Sequence, residues 1–283
     1  MNVKIISDST CDLSLELISK YDIDILPLHV LLGEAEYSDG VDITPDEIYA
    51  WSNENNASPK TSAPALDAAY ELFERHLKDG REIVCFSISN QMSGTGNVMR
   101  LAAQALNAED RIHIIDSQNL STGIGLLIIK AALASEAGMS GNEIVTLING
   151  LIPKVRSSFV VDTLTFLYRG GRCSSVAALA GSALKLHPKI GVSDGKMAPG
   201  KKYMGSIGRA VMNYAHDLEN DLKNAECDRV FITHSGCDEE MINEVRTYLE
   251  SLAHFDEILV TRAGAVISSH CGPNTLGILF ISK

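Results

Sequence analysis

The chain's 283 residues are 45% apolar and 21% charged, enough to bury a sizeable core and too apolar for a disordered polymer. A net charge of -12, with no Lys/Arg-rich run, excludes nucleic acid or an anionic membrane surface as the main partner, because either needs a basic patch to release counterions. No uncharged stretch approaches a bilayer's length and the N-terminus enters a strand without a secretory leader, so a cytoplasmic protein with no stable membrane insertion is expected.

The first strand, 3–6, runs into Ser7-Asp-Ser-Thr-Cys-Asp12, a polar loop in which Asp12 is placed to cap a helix starting near Leu13. A second apolar run, 23–32, precedes a hairpin through 33–37. Thr44-Pro-Asp-Glu47 is a capping box with Pro at the first helical position, opening a helix that carries Trp51. The loop Ala57-Ser-Pro-Lys-Thr-Ser-Ala-Pro64 has two prolines that stiffen it around Thr61 and Ser62, ahead of a helix ending at Gly80. Strand 83–88, a Ser/Asn/Gly cluster and a helix from about Val98 come next, then strand 112–115 and a long apolar helix from 121 to 137. Ser140-Gly-Asn-Glu143 is a second capping box, starting a helix that reaches about Arg156.

Strands alternating with helices to this point predict a parallel sheet covered on both faces. After Ser158 the order changes: strand 159–161, a short helix 164–168, the turn Arg169-Gly-Gly-Arg172 and a helix over 176–186. Asp194-Gly195 marks a hairpin between 189–192 and 196–198. A helix over 207–222, strand 229–233, helix 239–252 and strands near Ile258 and 276–281 complete a second unit with a mixed sheet. The expected architecture is α/β with two α/β domains, 1–155 and 156–283, and a ligand in the cleft between them.

The chemistry concentrates in Glu82-Ile-Val-Cys-Phe-Ser-Ile-Ser-Asn-Gln-Met-Ser-Gly-Thr-Gly-Asn97, which reads as strand, tight loop, helix. Ser89, Ser93 and Thr95 put hydroxyls at the carboxyl end of a strand, Gly94 and Gly96 permit close backbone approach, and the helix offers unpaired N–H groups. Such a loop suits an anion, although Ser and Thr at this place also cap helices without any ligand.

Other motifs lead nowhere. Gly191-Val-Ser-Asp-Gly195 matches a nucleophile elbow but is followed by a hairpin rather than a helix. Gly94-x-Gly96 and Gly123-x-Gly125 lack the third glycine of a dinucleotide site, and no phosphate-binding Gly-x4-Gly-Lys motif exists. The six cysteines and eight histidines show no metal spacing, so neither metal nor cofactor is expected. His270 stands out in Ser268-Ser-His-Cys-Gly-Pro273, read as a polar loop, from which a tertiary contact with Thr61 and Ser93 would build a polar cluster.

Together Ile6-Ser-Asp-Ser-Thr-Cys-Asp-Leu13, Pro59-Lys-Thr-Ser-Ala-Pro64, Ser93-Gly-Thr95, Asp116-Ser117, Ser121-Thr-Gly-Ile-Gly125, Leu167-Tyr-Arg-Gly-Gly-Arg172 and His270-Cys-Gly-Pro273 resemble the DegV family of bacterial fatty-acid-binding proteins. The resemblance implies a buried long-chain fatty acid whose carboxylate is held by Thr61, Ser62, Ser93, Gly94 and Thr95, with His270 near the head group. It further implies a noncatalytic subunit that presents the acid to a separate fatty acid kinase catalytic subunit, which makes an acyl-phosphate for phospholipid synthesis. The 176–186 segment would line or gate the tail, and Arg169 and Arg172 could meet the partner. Family members often carry an arginine in a Lys-x-Arg-Gly segment, where Lys202-Tyr-Met-Gly205 here puts Met204; Lys202 or His270 would then compensate for a missing cation. Two alternatives stay open: a Ser93/His270 acyl hydrolase, and a phosphotransferase-related protein modified at a histidine such as His270.

Overall fold

Alternation of side chains decides the first sheet. In β1 (Val3–Asp8) and β6 (Glu82–Ser87) Ile6, Ile83 and Cys85 enter one core while Val3, Ile5, Val84 and Phe86 enter another. Both faces are therefore buried, and the strand order β2 (Ile23–Leu26), β1, β6, β7 (Ile112–Asp116) is wholly parallel. Helices α3 (Leu66–Lys78) and α4 (Thr95–Ala105) cover one face through Phe73 and Met99. Helices α5 (Thr122–Glu136) and α6 (Gly141–Leu151) cover the other through Ile124, Ile128 and Ile144.

Helix α5 is apolar around its whole circumference and so needs burial on every side. It gets this from a second sheet, ordered β10 (Lys196–Met204), β9 (Leu186–Ser193), β8 (Val155–Val160), β13 (Thr275–Ile281), β11 (Arg229–Ser235), β12 (Glu257–Arg262). Only the β11–β12 pair is parallel. One continuous core joins Phe86 of the first sheet to Phe159, Phe231 and Leu279 of the second. On the far face α8 (Ile207–Asp217), the short α9 (Glu219–Lys223) and α10 (Glu239–Ser251) bury Val211, Tyr214, Leu222, Val245 and Leu249. This computed structural model describes residues 2–173 and 186–283, and the helix expected over 176–186 lies outside them apart from Leu186, the first residue of β9. No described helix is long and apolar enough to cross a membrane.

A third sheet was not foreseen: β4 (Ala35–Ser38), β3 (His29–Leu32) and β5 (Lys60–Ser62), all antiparallel. It packs Val30 against Ile48 of α2 (Pro45–Asn55) and Val266 of α11 (Ala265–Cys271). Two expectations change with it. The run 23–32 is two strands in two sheets, because Pro27 between β2 and β3 has no N–H for a ladder. The loop around Thr61 is a strand, paired residue by residue with β3.

Three further boundaries differ. Asp12 does not cap the first helix: it sits in a left-handed conformation after a 3-10 turn (Ser9–Cys11), and Ser14 caps α1 (Leu15–Lys20) through Leu17 N–H. The helix expected to reach Arg156 ends at Leu151, Pro153 lying in the short turn that follows. Ser268-Ser-His-Cys271 is the end of helix α11 rather than a loop, its two serine hydroxyls donating back to the Ala263 and Ala265 carbonyls. The capping boxes at Thr44 and Ser140 form, as does the Asp194-Gly195 hairpin, whose two residues both have positive φ.

Candidate functional site

A cavity of about 410 Å³ opens where the three sheets meet. Its walls are mostly apolar: Leu28 beside β3, Ile88 and Met92 after β6, Leu120 before α5, Met197 on β10, and Ile267 on α11. Polar groups come from four places, one of them the turn that carries Arg172. Strand β5 brings Thr61 and Ser62, the β6–α4 loop brings Asn90, Gln91, Ser93 and Gly94, and the last turn of α11 brings His270. A ligand with one polar end and an apolar body matches this division, and the volume lies in the range of small-molecule sites.

Thr61 Oγ1 and His270 Nε2 are 2.8 Å apart, and His270 Nδ1 is buried without a partner among the described residues. Burial, reinforced by the nearby Arg172 charge, holds His270 down to about 4, so the ring is neutral at neutral pH. A neutral ring carries one hydrogen, and a buried orphan N–H is rarer than an orphan acceptor, which assigns the hydrogen to Nε2. His270 then donates to Thr61 Oγ1, and the threonine hydrogen is left for the cavity.

Ser93 reaches the same state by a different route. Its Oγ accepts from Thr95 N–H at 3.3 Å and lies 2.8 Å from Thr95 Oγ1. Thr95 is fully buried behind Ser93, does not touch the cavity, and has no other side-chain partner among the described residues. Its hydroxyl therefore donates to Ser93, whose own hydrogen faces the open space. Beside it, α4 starts at Gly94 with no side-chain cap, so the helix presents its positive end to the same region. Ser89 plays another part: buried, it donates to Gly195 O at 2.7 Å and ties the β9–β10 hairpin onto the loop, which brings Met197 to the cavity.

The opposite end of α11 is fixed by two buried carboxylates. Gly264 N–H donates to Asp12 at 2.8 Å and Ala265 N–H to Asp39 at 2.7 Å; Ser121 and Ser9 hydroxyls donate to the remaining oxygens. Burial pushes both carboxyls up from the ordinary range. Asp8 accepts from Thr10 and Ile88 and is raised to about 6, burial outweighing its donors. Nothing local flagged Asp39, whose partners lie 30 and 226 residues away, and Asp8 has one near partner, Thr10, but its other, Ile88, lies 80 residues away.

Not every nominated residue comes to the cavity. Arg172 lines it and donates to Gly170 O at 2.7 Å, whereas Arg169 is exposed on α7 (Thr165–Gly170) outside the cavity wall. Lys202 and Met204 are exposed on β10, Met204 by 70%, and neither lines the cavity. Strand alternation explains this: Tyr203 between them turns into the core, so its neighbours turn out. Met204 accordingly leaves no gap in the described wall. Asn90, Gln91 and Met197 were missed; the first two stood inside the Ser/Asn/Gly cluster, but Met197 carried no signal.

Ser93 and His270 are not hydrogen-bonded to each other: His270 is bonded to Thr61 and Ser93 to Thr95. His270 Nε2 is bonded to Thr61 and Nδ1 is buried. Among the described residues, no group of three or more His, Cys, Asp or Glu gathers to hold a metal ion.

The family model "uncharacterised protein, DegV family" matches residues 2–283. The chain belongs to the DegV family. A DegV domain-containing protein of Clostridium acetobutylicum is 33% identical over 289 residues, covering 99% of both chains. Among solved structures, a DegV family protein from Thermus thermophilus described for its fatty acid binding has a TM-score of 0.92 at 30% identity over all of both chains. A stearic acid-binding protein from Eubacterium ventriosum has a TM-score of 0.85 at 32% identity, covering 99% of this chain and 98% of that one. DegV of Bacillus subtilis, described as a fatty acid binding protein, has a TM-score of 0.86 at 27% identity over all of both chains. In this chain the cavity sets hydroxyl and other polar groups among mostly apolar walls.

Proposed function

We propose that this DegV chain binds one long-chain fatty acid in the cavity, with the carboxylate at Thr61, Ser62 and Ser93 and the tail along the apolar walls. One observation carries the reading: two hydroxyls with unspent hydrogens, backed by a neutral histidine and a buried threonine, in a cavity with mostly apolar walls. A carboxylate leaving water needs several donors, which hydroxyls and the α4 N-terminus can supply. Each methylene of the tail gains about 0.8 kcal/mol on burial. The relatives described as fatty acid binding support the same ligand.

The finer role is that of a noncatalytic subunit. The bound acid is presented to a separate ATP-dependent fatty acid kinase, which forms the acyl-phosphate used for phospholipid synthesis. The lack of a nucleotide loop in the sequence supports this division of labour, and the kinase's need for ATP argues for a cytoplasmic location. Lipid extraction and mass spectrometry of the purified protein, with native mass spectrometry to count ligands, test the reading. One fatty acid per chain is expected; a protein that carries none and takes up none when palmitate is added would refute it. Acyl-phosphate formation with a DegV-partner kinase, ATP and the loaded protein tests the second part.

A further inference from the structure

The two glycines of Arg169-Gly-Gly-Arg172 are there for different reasons. Gly171 ends α7 at φ +69, a left-handed conformation that costs any other residue. Gly170 is still helical, and its backbone makes no such demand. Space makes the demand instead: a Cβ at 170 would overlap His270 Nδ1 and lie 3.2 Å from Cε1. The contact is reciprocal, for Gly272 after α11 leaves room for Phe166 of α7, whose Cδ2 would be 2.6 Å from a Cβ there. Helices α7 and α11 thus interlock through two glycine notches.

We propose that Gly170 is a positioning residue of the polar end of the cavity, its missing side chain forming the seat from which His270 reaches Thr61. The proposal rests on the fatty-acid reading for its effect on binding, but not for its effect on the ring. With the imidazole lodged against Gly170, Nδ1 is shut off from donors and Nε2 is aimed at Thr61 Oγ1, 2.8 Å away. Arg172 NH1 donates to the Gly170 carbonyl, so the same turn places a guanidinium on the cavity wall near the ring. A methyl group at 170 would push the imidazole off its seat, break the bond to Thr61, and free the threonine hydroxyl to rotate.

The test compares Gly170→Ala, His270→Ala and the double variant by palmitate titration of delipidated protein, with ¹⁵N NMR of the His270 ring in wild type and Gly170→Ala. Gly170→Ala is expected to weaken palmitate about tenfold, the scale of one charge-assisted hydrogen bond, and to add no further loss in the His270→Ala background. The ring in wild type is expected as the Nε2–H tautomer, with changed nitrogen shifts and a raised titration midpoint in Gly170→Ala. Should Gly170→Ala fail to fold while the double variant folds, the steric coupling is established directly. Additive losses in the double variant, or an unchanged His270 spectrum in Gly170→Ala, would overturn the proposal. If wild type binds no palmitate the fatty-acid reading fails by itself, and the ring spectrum still decides the role of Gly170.

Discussion

Helix α11 is seven residues long, and its two ends solve opposite problems. At the N-terminus, Asp12 and Asp39 remove the helix's orphan N–H groups, and serine hydroxyls satisfy their other oxygens. At the C-terminus a neutral imidazole backs Thr61, whose hydrogen stays unmatched in a cavity. The first arrangement is closed and carries buried acids; the second is open and carries no charge on its histidine. A joint is made by satisfying every polar group, and a site by leaving donors unspent where a ligand can meet them.

Breaking the joint should have the largest effect. Asp12→Ala strands the Gly264 N–H and Ser121 hydroxyl in a buried place, and a loss of about 4 kcal/mol in urea unfolding is expected, at roughly 1–3 kcal/mol per stranded donor. A loss below about 1 kcal/mol would show that the carboxylate is not what holds the helix.

Titration separates the two ends by sign. Asp8, next to the joint, is raised from 3.8 to about 6, so between pH 4 and 6 the folded chain keeps a proton that the unfolded chain gives up. Its contribution to stability therefore falls as pH rises through that window. His270 is lowered from 6.5 to about 4, so the unfolded chain takes up a proton that the folded ring refuses, and its contribution rises with pH from 4 to 6.5. The two oppose each other. Asp8→Asn should leave stability climbing with pH from 4 to 6 by roughly 2 kcal/mol more than wild type, and His270→Asn should give the reverse. Parallel pH profiles for wild type and both variants would contradict the assignment.

At the open end, Thr61→Ala is expected to weaken fatty acid binding roughly 10- to 100-fold by calorimetric titration. Equal affinity would remove Thr61 from the site. The smallest effect belongs to Met204→Arg: with that side chain 70% exposed on the outward face of β10, affinity should change by less than about twofold. A large gain would bring residue 204 back to the head group.

Much of this was legible beforehand, but unevenly. Thr61, Ser93 and His270 were nominated separately, yet Thr95 was read as a ligand contact when it stands behind Ser93, and Met204 as a lost cation when it faces away. The difference lies in which face a strand or helix turn presents, and a pattern of polar residues in a loop does not encode that.

By itself the sequence determined whatever has its cause within about four residues: the capping boxes at Thr44 and Ser140, the Asp194-Gly195 hairpin, and the apolar runs that become β1 and β6. Only the tertiary structure decided that β5 would pair with β3, that α11 would be clamped by Asp12 and Asp39, and that His270 would meet Thr61 across 209 residues. Such contacts form when many separate burials close the intervening loops together, so their geometry belongs to the whole packed core rather than to any segment of the chain.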